Sequence, residues 1–276
     1  MKRILAFIPA VVFLFLIPHA SAQVSIAPST VFISDATNVG TLYVSNRSDE
    51  AQEVTIEFAF GYPSSDDEGN LVMNYQDSVA FEKYALNEWV RAFPRSFILG
   101  PRQQQTVRFQ VRPQSGIEDG VYWTRVKILA NPQTAEIDMP AEEGITTRIT
   151  FRFEQIIAAF YRKGNATTGL RIPQIDAVQQ EGTLVLVPHL ERTGNAPFIG
   201  SMTARLFDQQ GNMVKERQGT TTAYFKEKRR IELDVNDLPP GNYSAVLSFE
   251  TRRADMSPTD LVQSPTITET VRVTLK

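Results

Sequence analysis

Alternating apolar and polar residues recur along most of the chain, which is the pattern of β-strands that bury one face. Leu42 and Val44, for example, alternate with Thr41, Tyr43 and Ser45. The first half carries this pattern in the segments 40–46, 54–60, 106–111, 121–128 and 145–162, the last of which is unusually long for one strand. We therefore expect mainly β-structure over this half of the chain.

Two segments of the first half do not alternate. Residues 62–70 are acidic and rich in turn-forming residues, which predicts a loop. Residues 71–87 show no clear period, so both a short helix and an irregular insertion remain open. The chain between these segments and residue 163 is otherwise read as strands and turns.

The second half shows the simpler pattern of short strands separated by turns. The predicted strands are 183–190, 201–207, 213–216, 221–225, 230–235, 243–250 and 266–275. Small and polar residues at 164–170 are typical of a linker between domains. We therefore predict an all-β protein with two immunoglobulin-like β-sandwich domains in tandem, at 23–163 and 171–276.

The first 22 residues have the features of a secretory signal peptide. Lys2 and Arg3 precede an apolar run at 4–17, and Ala20-Ser21-Ala22 places small residues at the cleavage site, so cleavage is expected before Gln23. The alternative is a retained membrane anchor, but the run is shorter than the roughly 20 residues that a transmembrane helix needs. We expect an exported protein that does not insert into a membrane after cleavage.

The composition argues against catalysis and against several ligands. The 276-residue chain has no cysteine and a net charge of −3, and His189 is its only histidine beyond the predicted signal. We therefore expect no enzyme, no cofactor, no metal site and no nucleic-acid partner. His189 is read as a solvent-facing histidine at a strand end. The basic cluster 226–230 is read as a solvated turn.

Five short motifs, in this order, resemble the periplasmic chaperones of the chaperone–usher pilus pathway. They are Leu42-Tyr43-Val44-Ser45-Asn46, the proline-containing segment 93–101, Gln105-Thr106-Val107-Arg108, Asp119-Gly120-Val121-Tyr122-Trp123 and Phe160-Tyr161-Arg162. The resemblance covers roughly residues 24–163. It implies a periplasmic location, two domains arranged as an L or a boomerang, and binding to incomplete β-sandwich subunits, with an outer-membrane usher as a further partner.

The resemblance also implies which residues bind the client. In that family the last strand of the first domain is added to the client's sheet, and alternate apolar side chains fill its groove. The matching residues here are Ile149, Phe151 and Phe153, which share one face of the strand around 149–153. The alternative is that this face packs into the protein's own core.

Two further sets of positions come from the resemblance. The family holds a client's terminal carboxylate with two basic residues, whose places are taken here by Thr30 and Ala158, and neither can neutralise a carboxylate. Asp119 and Arg162 match a structural ion pair near the domain junction, although two separately solvated charges remain an alternative. A rival function is an envelope or adhesion module that uses the same sandwich fold only as a structural unit.

Overall fold

The computed structural model describes residues 24–133 and 152–276, and in these residues it is nearly all β. The strands of the first domain and its one helix are β1 (Val24–Ala27), β2 (Thr30–Ser34), β3 (Val39–Asn46), β4 (Gln52–Ala59), β5 (Tyr62–Ser65), β6 (Leu71–Asn74), α1 (Ser78–Tyr84), β7 (Val90–Phe93), β8 (Ser96–Leu99), β9 (Gln104–Val111), β10 (Gly120–Pro132) and β11 (Phe153–Lys163). No helix in the described residues is long and apolar enough to span a membrane.

The first domain packs two sheets against each other. One sheet has the strand order β1-β3-β9-β7, and the other has the order β2-β11-β10-β4-β8. The alternation predicted in β3 is confirmed, because Leu42 and Val44 are fully buried while Tyr43 between them is 43% exposed. Leu42, Ile56, Phe109 and Val126 belong to one core between the sheets, so the apolar faces of the strands hold the sandwich together.

The second domain is also a sandwich of two sheets. Its strands are β12 (Thr168–Gln180), β13 (Thr183–Gly194), β14 (Phe198–Phe207), β15 (Met213–Ala223), β16 (Lys226–Lys228), β17 (Ile231–Asp234), β18 (Gly241–Glu250) and β19 (Ile267–Leu275). One sheet has the order β12-β13-β16, with β17 also paired to β13, and the other has the order β15-β14-β18-β19. The predicted all-β fold of two sandwich domains is thus confirmed.

The segment between β4 and β7 forms a β-hairpin and a short helix. Strands β5 and β6 pair antiparallel around the acidic turn, so part of the predicted loop at 62–70 is strand. Helix α1 begins after Asp77, whose carboxylate accepts a hydrogen bond from the Ala80 amide at 2.9 Å. The Tyr62 hydroxyl donates to the same carboxylate at 2.5 Å and ties the hairpin to the helix.

The two domains meet through a third apolar cluster. It contains Tyr62 and Trp123 from the first domain and Ile199, Tyr224 and Leu261 from the second. The rings of Trp123 and Tyr224 make an edge-to-face contact with their centroids 4.9 Å apart. The rings of Tyr62 and Tyr224 are stacked with their centroids 5.4 Å apart. These buried aromatic contacts hold the domains against each other by apolar packing.

Candidate functional site

Strand β11 has one edge that is only partly paired. It pairs with β10 from Phe153 to Lys163, whereas β2 pairs with it only from Ala158 to Arg162. Among the described residues, 153–157 therefore have no strand on this edge. The cause lies in the first segment of the domain, because β1 leaves this sheet and pairs with β3 in the other one.

The side chains of this open segment alternate between core and solvent. Ile157 is buried and Phe153 is partly buried, and both pack in the core of the first domain. Ile156 points the other way and is 42% exposed. The Gln155 side chain donates to the Val24 carbonyl oxygen at 2.9 Å, the one hydrogen bond from a described side chain of this segment to β1.

The structure describes only one of the three predicted client-binding residues, Phe153. Ile149 and Phe151 lie outside the described residues. Phe153 begins β11 and contacts the domain's own core while part of its surface stays exposed. The described residues thus show the core contact for Phe153, and client binding by Ile149, Phe151 and Phe153 stays a prediction.

The predicted ion pair between Asp119 and Arg162 is wrong for this structure. The Asp119 carboxylate accepts a hydrogen bond from the Asn165 amide at 2.9 Å, and the Arg162 guanidinium donates to the Thr259 carbonyl oxygen at 3.5 Å. The Asp119 carboxylate lies over Gly164, where a Cβ atom would overlap it. It therefore binds the linker backbone, and the two side chains have different partners.

A different ion pair lies at this junction. The parallel register pairs Arg162 with Ser34, so the next residues along the two strands, Lys163 and Asp35, become neighbours. Their charged atoms are 3.6 Å apart. The Gly164 amide also donates to the Asp35 carboxylate at 2.8 Å, and this hydrogen bond, with the Lys163 charge, lowers the pKa of Asp35. The resemblance thus pointed to the end of β11, but the ion pair there uses Lys163 instead of Arg162. Its acidic partner, Asp35, follows β2, whereas Asp119 precedes β10.

Thr30 and Ala158 are direct neighbours, as Cα partners in β2 and β11. Ala158 also faces Arg125 of β10, which in turn faces Ala59 of β4. Residues opposite each other in a sheet point to the same face. The row therefore places one positive charge, Arg125, beside the two positions that the resemblance leaves uncharged, and sequence reasoning did not single it out.

The reading of 226–230 as a solvated turn is wrong for two of its residues. Glu227 and Arg229 have side chains that are only 2% and 9% exposed, and they form an ion pair at 2.7 Å. The β5–β6 hairpin covers them: the Lys228 amide donates to the Ser65 hydroxyl at 2.8 Å, and the Arg230 amide donates to the Gly69 carbonyl oxygen at 2.9 Å. A contact so distant in sequence leaves no signal in the local charge pattern.

Burial controls the ionisation of two groups at the junction. Loss of solvation raises the pKa of Glu227 to about 7, although the nearby Arg229 charge opposes this change. Burial likewise raises the pKa of the Tyr224 hydroxyl to about 12, while the positive charge of Arg125 acts in the opposite direction. The negative charge of Glu227 adds to the increase in the Tyr224 pKa, so Arg125 and Glu227 act on Tyr224 in opposite directions.

The one histidine of the described residues lies inside a strand and is paired with an acidic side chain. His189 lies within β13, where its Nε2 is 2.7 Å from Asp176 Oδ2, so it is paired and only partly exposed. Among the described residues, no three histidine or acidic side chains come close enough to hold a metal ion.

The comparisons with known proteins give structural likeness only. No protein-family model matches the chain, and no curated protein is similar to it. The alignment with the YadV chaperone covers 92% of this chain and all of the YadV chain, at 13% identity and a TM-score of 0.44. The CupB2 chaperone of Pseudomonas aeruginosa covers 91% with all of its length, at 12% identity and a TM-score of 0.44. The SafB chaperone of Salmonella enterica, in complex with the SafA pilin, covers 90% with 96% of its length, at 14% identity and a TM-score of 0.40.

Identities and TM-scores this low do not assign a function. YadV, CupB2 and SafB are described as chaperones, but the function of this chain has to be inferred from its own residues.

Proposed function

We propose that this protein is a periplasmic chaperone that binds incomplete β-sandwich subunits by adding β11 to their sheets. The open edge of β11 at 153–157 is the observation that carries the proposal. In an antiparallel pair, alternate residues direct their N–H and C=O groups away from the partner strand. The unpaired edge of β11 is therefore a ready template for one more strand.

The apolar residues that precede the open edge supply the second part of the proposal. Ile149 and Phe151 have the same parity as Phe153, so a continuous strand would present all three on one face. Burying each such side chain is worth about 1.5–3 kcal/mol, and each new main-chain hydrogen bond adds a net of about 0.5–1.5 kcal/mol. Together these terms are large enough to hold a client after its ordering cost.

The location and the second partner belong to the same proposal. The predicted signal at 1–22 would deliver the chain to the periplasm, where incomplete pilus subunits emerge. A chaperone of this kind would then pass its client to an outer-membrane usher.

The test of strand addition combines binding with main-chain protection. Tagged protein is purified from the periplasm, the bound subunit is identified, and the complex is reconstituted from the two purified proteins. We expect those amides of 153–157 that point away from β10 to become protected from hydrogen exchange in the complex. A complex that leaves these amides unprotected would rule out strand addition at this edge.

Variants separate client contacts from core contacts. Phe151→Asp should weaken binding at least tenfold and leave the melting temperature nearly unchanged, because a buried charge in the client groove is unfavourable. Phe153→Asp should lower both the affinity for the client and the melting temperature, since Phe153 also packs in the protein's own core. Glu154→Gln, on the exposed face, is the matched control and should change neither. If Phe151→Asp unfolds the protein, the side chain belongs to the core and the proposed role of this face fails.

A further inference from the structure

Strand β15 ends one sheet of the second domain and has one unpaired side. The sheet has the order β15-β14-β18-β19, so β15 pairs with β14 only. A cleft of about 660 Å³ adjoins β15, and residues 217–222 line it together with residues of the β5–β6 hairpin. We call residues 216–220 the β15 edge. It belongs to the second domain, whereas the open edge of β11 belongs to the first.

The main chain of β15 shows which groups point to the unpaired side. The Thr222 carbonyl oxygen accepts a hydrogen bond from Arg229 Nη2 at 2.8 Å, so it is directed away from β14. In an antiparallel pair, alternate residues direct both main-chain groups away from the partner strand. Glu216, Gln218 and Thr220 therefore share the direction of Thr222. Within the described parts of the chain, no other main-chain group bonds to these three residues on that side.

The β15 edge lacks the features that usually keep a free edge from pairing. Natural edge strands are protected by proline, by bulges or by charged side chains. Strand β12, at the edge of the other sheet, has Pro173 and a register shift between Arg171 and Gln174. The β15 edge contains no proline, its register with β14 is regular, and its last three residues are uncharged. Its main chain is thus free to pair with another strand.

Strand β15 has three charged residues, and one of them is not neutralised. Lys215 pairs with Asp237 at 2.5 Å, and Glu216 pairs with Arg205 at 2.7 Å. Arg217 is exposed and lines the cleft, and no acidic side chain of the described residues lies within salt-bridge distance of it. Opposite charges on facing residues of neighbouring strands stabilise their pairing. The charge of Arg217 therefore favours an acidic side chain on an added strand.

The hairpin wall of the cleft indicates which other side chains the added strand would carry. Leu71 and Met73 line this wall and are 63% and 40% exposed. Arg217, Gly219 and Thr221 share one face of β15, because successive side chains of a strand point to opposite faces. All three line the cleft. Apolar side chains on the same face of an added strand would therefore cover Leu71 and Met73.

We propose that the β15 edge binds an extended segment of a partner protein, which pairs with residues 216–220 as an added strand. The segment places an acidic side chain opposite Arg217 and apolar side chains on the same face. Main-chain hydrogen bonds make the pairing, so the segment can lie within a chain and no chain end is needed. This inference stands independently of strand addition by β11, because it uses a different edge in the other domain.

The test uses the full chain and three peptides that are acetylated at one end and amidated at the other. The first is Thr-Glu-Thr-Val-Thr-Val-Thr, and the second has lysine in place of glutamate. The third is the first with N-methyl groups on its inner threonines, which face β15 when the glutamate lies opposite Arg217. We expect the first peptide to protect the amides of Gln218 and Thr220 from hydrogen exchange. The lysine peptide should bind about fivefold more weakly, and the methylated one about tenfold or more weakly.

Variants separate the contribution of the main chain from that of the charge. Thr220→Pro removes an outward N–H group at a position where an edge strand tolerates proline, and it should weaken the first peptide about tenfold or more. Thr220→Val keeps this N–H group and should bind like the wild type. Arg217→Gln should abolish the preference for the glutamate peptide over the lysine peptide. Arg272→Gln, at an exposed position on β19, is the matched control and should keep the preference.

The outcomes that would overturn the proposal are distinct from those that concern β11. Equal binding of the methylated and unmethylated peptides would exclude an added strand, even if Thr220→Pro does not fold. Equal binding of the glutamate and lysine peptides would exclude the role of Arg217. Protection at 153–157 in place of Gln218 and Thr220 would exclude the β15 edge and support strand addition by β11. Protection of Gln218 and Thr220 that rises with the concentration of the protein alone would make a second copy of this chain the occupant, against the proposed partner.

Discussion

Replacing Glu227 with glutamine should remove much of the pH dependence of stability. The pKa of Glu227 is raised from 4.5 to about 7 by burial, so the folded state holds this proton more tightly than the unfolded state does. The contribution of Glu227 to the free energy of unfolding should therefore be largest below pH 4.5 and fall as the pH rises through 7. At about 1.4 kcal/mol per pKa unit, the loss attributable to Glu227 between pH 5 and pH 8 is roughly 2–3 kcal/mol.

The measurement is urea unfolding of the wild type and of Glu227→Gln at pH 5 and pH 8. The quantity compared is the difference between the two pH values within each protein, because all other ionisable groups are common to both and cancel. The absolute stability of the variant is less informative, since the change also leaves Arg229 without its charged partner. We expect the pH difference to be smaller in the variant by roughly 2–3 kcal/mol.

Glu232→Gln serves as the control for Glu227→Gln, and one result would refute the reasoning about burial. Glu232→Gln changes an exposed carboxylate on β17 that also pairs with an arginine, and it should keep the wild-type pH difference. If Glu227→Gln shows the same loss between pH 5 and pH 8 as the wild type, Glu227 is ionised throughout. The attraction of Arg229 would then outweigh burial.

Two further predictions concern stability. Ile56→Ala, at a fully buried position, should cost about 2–5 kcal/mol of unfolding free energy, whereas Ile98→Ala, at a position 60% exposed, should change it by less than about 0.5 kcal/mol in the same denaturant titration. Gly164→Ala should cost more than Gly116→Ala, because φ is positive at both, at 54° and 78°, but only at Gly164 would the new Cβ overlap the Asp119 carboxylate. Equal thermal shifts for the two glycine variants would contradict the contact with Asp119.

The sequence predicted those strands whose burial follows from local alternation. In β3, β9 and β18 the buried residues stand at alternate positions, so their pattern was readable without tertiary information. β12 was missed because it is an edge strand with a mostly exposed surface, and because Pro173 interrupts its pattern. Edge strands tolerate proline, and the irregularity between Arg171 and Gln174 shifts the alternation of the core-facing residues Leu170, Ile172 and Ile175. Period-two counting therefore does not detect β12.

The candidate site was less predictable than the fold. The open edge of β11 arises because β1 changes sheets, and no residue within β11 records that change. The burial of Glu227 depends on a hairpin about 160 residues away in sequence, through the hydrogen bond between Lys228 and Ser65. Charge patterns along the chain describe the local environment only, which is why a buried ion pair was taken for a solvated turn.

The domain junction constrains any function that uses both domains. Domains in one chain are expected to move unless their interface is large and apolar. Here the apolar cluster around Trp123 and Tyr224 joins the two domains. The β5–β6 hairpin also accepts hydrogen bonds from the Lys228 and Arg230 amides. In addition, the Asn195 side chain donates to the Asp119 carbonyl oxygen at 2.9 Å. Apolar packing and two sets of hydrogen bonds thus join the domains at three places. A partner that contacts both domains would therefore meet surfaces that are already in place, and it would lose little of its binding energy to ordering the protein.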